Sequence, residues 1–181
     1  MLDKETYIFK EALRDGTRVI LRAALPHDGL KIRRAFRNLR RETVYTRFFG
    51  FKSDVSDAEL KRITDADFNR DVALLVTIGS GDEEVVIGGA SYFSTNAAPQ
   101  ARSAEVAFTV EEDYQGLGVA SLLMRHIVQI AREKNVKSLE AEVLTSNLPM
   151  LAVFRHSGLP MALRHEDNVV HVTLFLQTEM A

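Results

Sequence analysis

Two places in this 181-residue sequence carry residue types that could do chemistry together. The first is Gln115-Gly116-Leu117-Gly118-Val119-Ala120-Ser121, where two glycines open a segment of helical period. The first N–H groups of a helix have no internal partner, and the helix dipole favours negative charge there, so such a turn is a physical anion site. Gly116 and Gly118 remove Cβ atoms that would hold a diphosphate away, and Ala120 keeps the next position small. The second place is Glu105, a carboxylate inside the apolar run Ala104-Glu105-Val106-Ala107-Phe108. If that run is a strand, Glu105 shares a face with Ala107 and Thr109, opposite Val106, Phe108 and Val110. A carboxylate so placed suits removal of a proton from an incoming amine. For both places the plain alternative stays open. Glycines also start helices that bind nothing, and a strand carboxylate also faces solvent or joins an ion pair.

Two other glycine-turn chemistries do not fit. A P-loop needs a lysine and a hydroxyl residue after its last glycine, where Val119-Ala120 stand. A dinucleotide fold needs a third glycine where Ser121 stands, and it normally sits in the first βαβ unit of the chain.

The elements that must position these residues can be read from period and punctuation. Thr17–Arg22 reads as a first strand. Pro26 and Asp28 open a helix to about Leu39 with Leu30, Ala35, Phe36 and Leu39 facing inward, and a second helix starts at Ser56, which has capping-box spacing to Glu59. Val72–Ile78, Val85–Tyr92 and Ala104–Val110 read as an antiparallel meander, with Gly88-Gly89 marking a bulge or a close backbone approach. Val119, Leu122, Leu123, Ile127 and Ile130 then repeat at helical spacing. Leu139–Leu144 is a strand, Asn147–Ser157 a short helix stopped by Gly158, and Asn168–Leu176 a last strand. The order β-α-α-β-β-β-α-β-α-β implies an α/β (α+β) domain with a mixed, mostly antiparallel sheet and one parallel strand pair across a helical crossover. Residues 1–16 read as a loose lead-in, and residues 17–181 as a single domain.

Composition narrows the class. Hydrophobic residues make up 46% and charged residues 27%, which suits one packed domain. There is no cysteine, so disulfides, thiolate nucleophiles and cysteine metal sites are excluded, and a cytoplasmic setting is expected. The start Met1-Leu2-Asp3-Lys4 shows no signal peptide, and no apolar run is long enough for a membrane helix. A net charge of -2 gives no reason to expect nucleic acid. His27, His126, His156, His165 and His171 lack metal-ligand spacing, so no metal is expected, and His126 reads as a packed histidine.

Gln115-x-x-Gly118-x-Ala120 resembles the Gln/Arg-x-x-Gly-x-Gly/Ala signature of the GCN5-related N-acetyltransferases (GNAT). Downstream, Asn147-Leu-Pro-Met150 and Phe154-Arg155-His156-Ser157-Gly158-Leu159 resemble that family's Asn…Met…Gly-Phe segment. The likeness covers roughly residues 17–176 and implies a GNAT fold with acetyl-CoA, or another short acyl-CoA, as co-substrate. By position it implies that Phe108, Thr109 and Val110 pair with the pantetheine arm and that amides from Gln115 to Ser121 hold the pyrophosphate. Asn147, Phe154 and Arg155 would lie along the thiol end. Glu105 matches the family's general base, and Phe154 stands where many relatives carry a tyrosine acid. Tyr45-Thr46-Arg47-Phe48-Phe49 resembles the acceptor-side segment of bacterial protein-lysine acetyltransferases, which favours a protein lysine as acceptor. Many of those enzymes carry an attached regulatory domain, for which 181 residues leave no room. A small amine acceptor, or a non-catalytic acyl-CoA sensor, are the alternatives; either a monomer or a homodimer is compatible. The arginines Arg33, Arg34, Arg37, Arg40, Arg41 and Arg47 read as a solvated helix face or as a guide for acidic surfaces.

Overall fold

The computed structural model describes residues 2–48, 54–95 and 102–177, and of Phe48 the backbone only. One eight-stranded sheet runs β1 (Ile8–Ala12), β2 (Arg18–Ala23), β3 (Asp71–Ile78), β4 (Val85–Ser94), β5 (Ser103–Val110), β6 (Ser138–Leu144), β8 (Val169–Phe175), β7 (Met161–Glu166). Every neighbouring pair is antiparallel except β5 and β6, which are parallel. The crossover between those two is α4 (Val119–Glu133). The remaining helices are α1 (Gly29–Asn38), α2 (Arg41–Phe48), α3 (Asp57–Thr64) and α5 (Leu148–His156). This is the mixed sheet with a single parallel pair that the element order implies.

The structure adds elements to that order. Ile8–Ala12, inside the segment that reads as lead-in, is an edge strand whose residues are mostly exposed, so it carries no inward alternation to read. Tyr7 and Leu13 at its ends are the residues that bury. α2 occupies a stretch that reads as loop; its apolar residues form no stripe, and among its described side chains only Val44 is buried. β7 is equally exposed and stands outside the expected order. Pro26–Asp28 forms a 3-10 turn rather than the first turn of α1, and Leu30 points to solvent at 78% exposure instead of into the core. Phe49 of the segment Tyr45-Thr46-Arg47-Phe48-Phe49 lies outside the described residues.

Local rules explain the elements that the sequence announces. Ser56 accepts from the Glu59 N–H at 3.1 Å while the Glu59 carboxylate accepts from the Ser56 N–H at 2.8 Å, a complete capping box that starts α3. The register between β3 and β4 shifts at Val76/Thr77, so β4 carries a bulge next to Gly88. A Cβ on Gly88 would stand 2.8 Å from Val119 Cγ1, so this glycine lets α4 sit directly on the sheet. The apolar stripe of α4 is buried along its length and faces Leu74, Val76, Ile87, Tyr92 and Val106. The other sheet face is roofed by α1 and α3, with α2 crossing β5 and β6.

Candidate active site

β5 pairs with β4 over its whole length, from Ala104 opposite Ser94 to Val110 opposite Gly88. Its pairing with β6 stops after three positions, ending at Glu105 opposite Glu140. β6 nevertheless continues along β8 to Leu144. The two parallel strands therefore splay apart beyond Glu105, and Val106–Val110 is left without a ladder partner on that side. This edge is about 17 Å long and offers unpaired N–H and C=O groups. Such an edge can take an extended, amide-bearing chain as one more strand. Phe108 and Val110 turn toward α4, where Phe108 meets the buried Phe154 edge-on at 5.9 Å; Thr109 turns to the opposite face with Glu105 and Ala107.

The glycine turn lies at the open end of this wedge. β5 does not run straight into it, because a 3-10 turn over Glu112–Tyr114 intervenes. Gly116 and Gly118 then adopt φ of 77° and 95°, conformations that residues with a Cβ rarely hold. Gly118 is the N-cap of α4 and supplies no side-chain cap, so the first-turn amides stay open to an anion. Val119 is buried in the core, Leu117 packs partly against it, Ala120 is half-buried and Ser121 is exposed. The Gln115 side chain ties the turn to its neighbours, because its amide N–H donates to the Val110 carbonyl at 3.0 Å and to Thr43 Oγ1 at 3.4 Å.

Not all the expected cofactor residues converge. Asn147 caps α5, accepting from the Met150 N–H at 3.3 Å. Arg155 is exposed in the last turn of the same helix, about 12 Å further along the axis, so these two do not meet at one point. Phe154 lies inside the core and meets the wedge at Phe108.

On the other sheet face, Glu105 opens onto a cavity of about 320 Å³ between α1, α3 and strands β3–β5. Its walls are mostly apolar, with Ile32, Phe36, Leu75 and Val86 among them, and its charged groups are Glu59, Glu105, Glu111, Arg47 and Arg62. Arg62 stacks on Phe93, 4.0 Å above the ring, and Phe93 is the β4 partner of Glu105. Burial pulls the Arg47 guanidinium below its ordinary range, while Glu105 and Glu59 act in the opposite sense. Burial raises the Glu111 carboxyl; the Asp113 backbone N–H opposes that shift, while the charges of Asp113 and Glu112 add to it. Glu111 is six residues from Glu105 on the same face, about 20 Å away and beside the glycine turn rather than at the apex.

In the sequence Arg47 stands in a basic set and in the segment Tyr45-Thr46-Arg47-Phe48-Phe49; its place beside Glu105 follows from α2, which no periodicity announces. Its companions Arg33, Arg37 and Arg40 pair with Asp57, Asp54 and Asp113. His126 is packed as expected, with Nδ1 2.7 Å from Tyr7 Oη. Among the described residues no group of three His, Asp or Glu side chains is placed to hold a metal, and no helix is long and apolar enough to cross a membrane.

A family model described as the acetyltransferase (GNAT) family matches residues 34–159. An acetyltransferase of Pseudomonas aeruginosa is 29% identical over 140 residues, which cover 77% of this chain and 74% of that protein. Acetyltransferase Pat of Mycolicibacterium smegmatis is 31% identical over 146 residues, covering 81% of this chain but only 42% of that protein. The crystal structure of the GNAT domain of S. lividans PAT superposes with a TM-score of 0.84 at 32% identity, covering 93% of this chain and 96% of that one. The splayed strands, the glycine turn and these matches agree: the chain belongs to the GNAT acetyltransferase family and is an acyl-CoA-dependent N-acyltransferase.

Proposed function

We propose that the chain transfers an acetyl group from acetyl-CoA to a protein lysine, with Glu105 as the general base. The observation that carries this reading is the wedge: β5 and β6 part at Glu105/Glu140, and the glycine turn closes the far end of the freed edge. Acetyl-CoA laid along Val106–Val110 with its diphosphate on the Gln115–Ser121 amides would bring its thioester to the apex, beside Glu105. The acceptor would enter from the cavity face, where Glu105 is exposed. The resemblance of Tyr45-Thr46-Arg47-Phe48-Phe49 to the acceptor-side segment of bacterial protein-lysine acetyltransferases supports the acceptor class.

The chemistry then needs three things. A lysine amine with an ordinary pKa of about 10.4 is neutral in only roughly one molecule in a few thousand at pH 7, a handicap of about 4 to 5 kcal/mol. Glu105 takes the ammonium proton, directly or through water. The amine nitrogen attacks the thioester carbonyl, and an N–H on the unpaired β5 edge receives the oxyanion. The C–S bond then breaks and the thiolate leaves. Phe154 has no hydroxyl to protonate it, and the second proton of the attacking amine, lost as the amide forms, balances the departing thiolate.

The test is a thermal-shift titration with acetyl-CoA followed by thiol release with a lysine peptide and with spermidine. Glu105→Gln should lower kcat about 10²- to 10⁴-fold at neutral pH and recover partly at high pH. An unchanged pH–rate profile removes Glu105 from the mechanism, and turnover with spermidine alone removes the protein acceptor.

A further inference from the structure

The hairpin formed by β1 and β2 lies outside the part of the chain that the family model matches, which begins at residue 34. It nevertheless touches the cofactor turn at one residue. The Arg14 N–H donates to the Leu117 carbonyl at 3.0 Å, and Arg14 Nη1 stands 3.5 Å from the Gly116 carbonyl oxygen. A Cβ on Gly118 would come within 3.4 Å of Arg14 Nε, so the side chain lies flat along the turn. The hairpin is itself fixed to α4, by Tyr7 on His126 and by Glu11 on Arg125 at 3.1 Å.

The consequence follows from peptide geometry. In a planar trans peptide the C=O and the next N–H point in opposite directions. Carbonyls of Gly116 and Leu117 turned toward Arg14 therefore turn the N–H groups of Leu117 and Gly118 away from the hairpin, out of the turn. Neither N–H donates to another backbone carbonyl among the described residues. The guanidinium also places positive charge behind these amides. The signature's first position offers no such charge here, since it is Gln115 and its amide is engaged with Val110 and Thr43.

We infer that Arg14 is a positioning residue for the donor's diphosphate: it orients the amides of the glycine turn and supplies the cation that Gln115 does not. This rests on the proposed CoA site. It extends that site to a residue of the N-terminal hairpin.

The experiment compares acetyl-CoA with S-acetylpantetheine, which carries the same thioester and no diphosphate, in the wild type, Arg14→Gln and Arg14→Lys. Arg14→Gln should raise KM for acetyl-CoA about five- to tenfold with kcat within about twofold. Its kcat/KM for S-acetylpantetheine should match the wild type, and Arg14→Lys should recover part of the loss. Equal losses on both donors would reduce Arg14 to a structural residue, and an unchanged KM for acetyl-CoA would overturn the inference outright. A wild type that shows no preference between the two donors would sink the CoA site itself, and this inference with it.

Discussion

On one face of the sheet, α4 lays Val119, Leu122, Leu123, Ile127 and Ile130 against Leu74, Val76, Ile87 and Val106 in a continuous apolar layer. On the other face, α1–α3 bring two small clusters, one around Ala73, Leu75 and Val86 and one around Phe36, Val44, Val55 and Leu60. Ion pairs complete that face. Arg22 donates to both Asp28 oxygens at 2.7 and 2.8 Å and to Glu84 at 2.7 Å, and Lys31 reaches Glu84 at 2.9 Å. Apolar burial is non-directional and fills space, so the α4 face gives the cofactor turn a solid base. Ion pairs hold groups at set distances without filling what lies between, and the 320 Å³ cavity lies on that face. The donor half is thus set by packing and backbone conformation, and the acceptor half by side-chain charges around a void.

The strongest way to break this contrast is to damage each face by a similar amount. Asp28 is fully buried, and Asp28→Ala would leave Arg22 with Glu84 as its remaining carboxylate, at a cost of about 3–5 kcal/mol. Leu123→Ala, equally buried under α4, should cost about 2–5 kcal/mol. Calorimetry should show Tm losses of roughly 10 °C for each. The kinetic signatures should differ: Asp28→Ala raises KM for the acceptor, and Leu123→Ala raises it for acetyl-CoA. If both variants raise the same KM, the two faces do not divide the substrates.

A smaller effect separates backbone conformation from packing on the donor side. Gly118 and Gly158 both hold positive φ, 95° and 74°, but only Gly118 belongs to the turn. Gly118→Ala and Gly158→Ala should each lose about 1–2 kcal/mol of stability by denaturant titration. Isothermal titration should find acetyl-CoA affinity about tenfold weaker in Gly118→Ala alone. Equal affinities in the two variants would mean that the turn's geometry is not what holds the donor.

The same contrast explains which features are legible in the sequence and which are hidden. Gly116, Gly118 and the stripe from Val119 to Ile130 are local signals, because glycine spacing and a 3.6-residue period are written along the chain. Gly88-Gly89 likewise announces the bulge and the close approach of Val119. The register end at Glu105/Glu140 joins residues 35 apart, and no local pattern states where two strands stop pairing. Arg14 reaches residues about a hundred positions away from the turn after a strand too exposed to show alternation. Arg47 meets Glu105 from a helix without an apolar stripe. Contacts made by exposed or charged side chains leave no period behind, and they act at Arg47 in the acceptor half and at Arg14 in the donor half.

The gentlest test concerns the titratable group buried within the apolar face. His126 is held between Tyr7 on Nδ1 and Glu11, 3.4 Å from Nε2, with the Phe9 ring packed edge-on and Arg125 beside it. Burial lowers its pKa below the ordinary 6.5; Glu11 opposes that shift and Arg125 adds to it. The unfolded chain therefore takes up this proton first as the pH falls. Between about pH 6.5 and the lower folded value, stability should drop with acid, by at most ~1.4 kcal/mol per pH unit for one proton. Below the folded value the contribution flattens, and above 6.5 it is fully present. His126→Gln should flatten the slope in that window when unfolding free energy is followed by urea titration against pH. The wild-type slope should be accompanied by a weaker affinity for acetyl-CoA in acid, because Tyr7 and Glu11 dock the hairpin that carries Arg14. A variant that keeps the wild-type slope would assign the acid sensitivity to the carboxylates of the α1–α3 face instead.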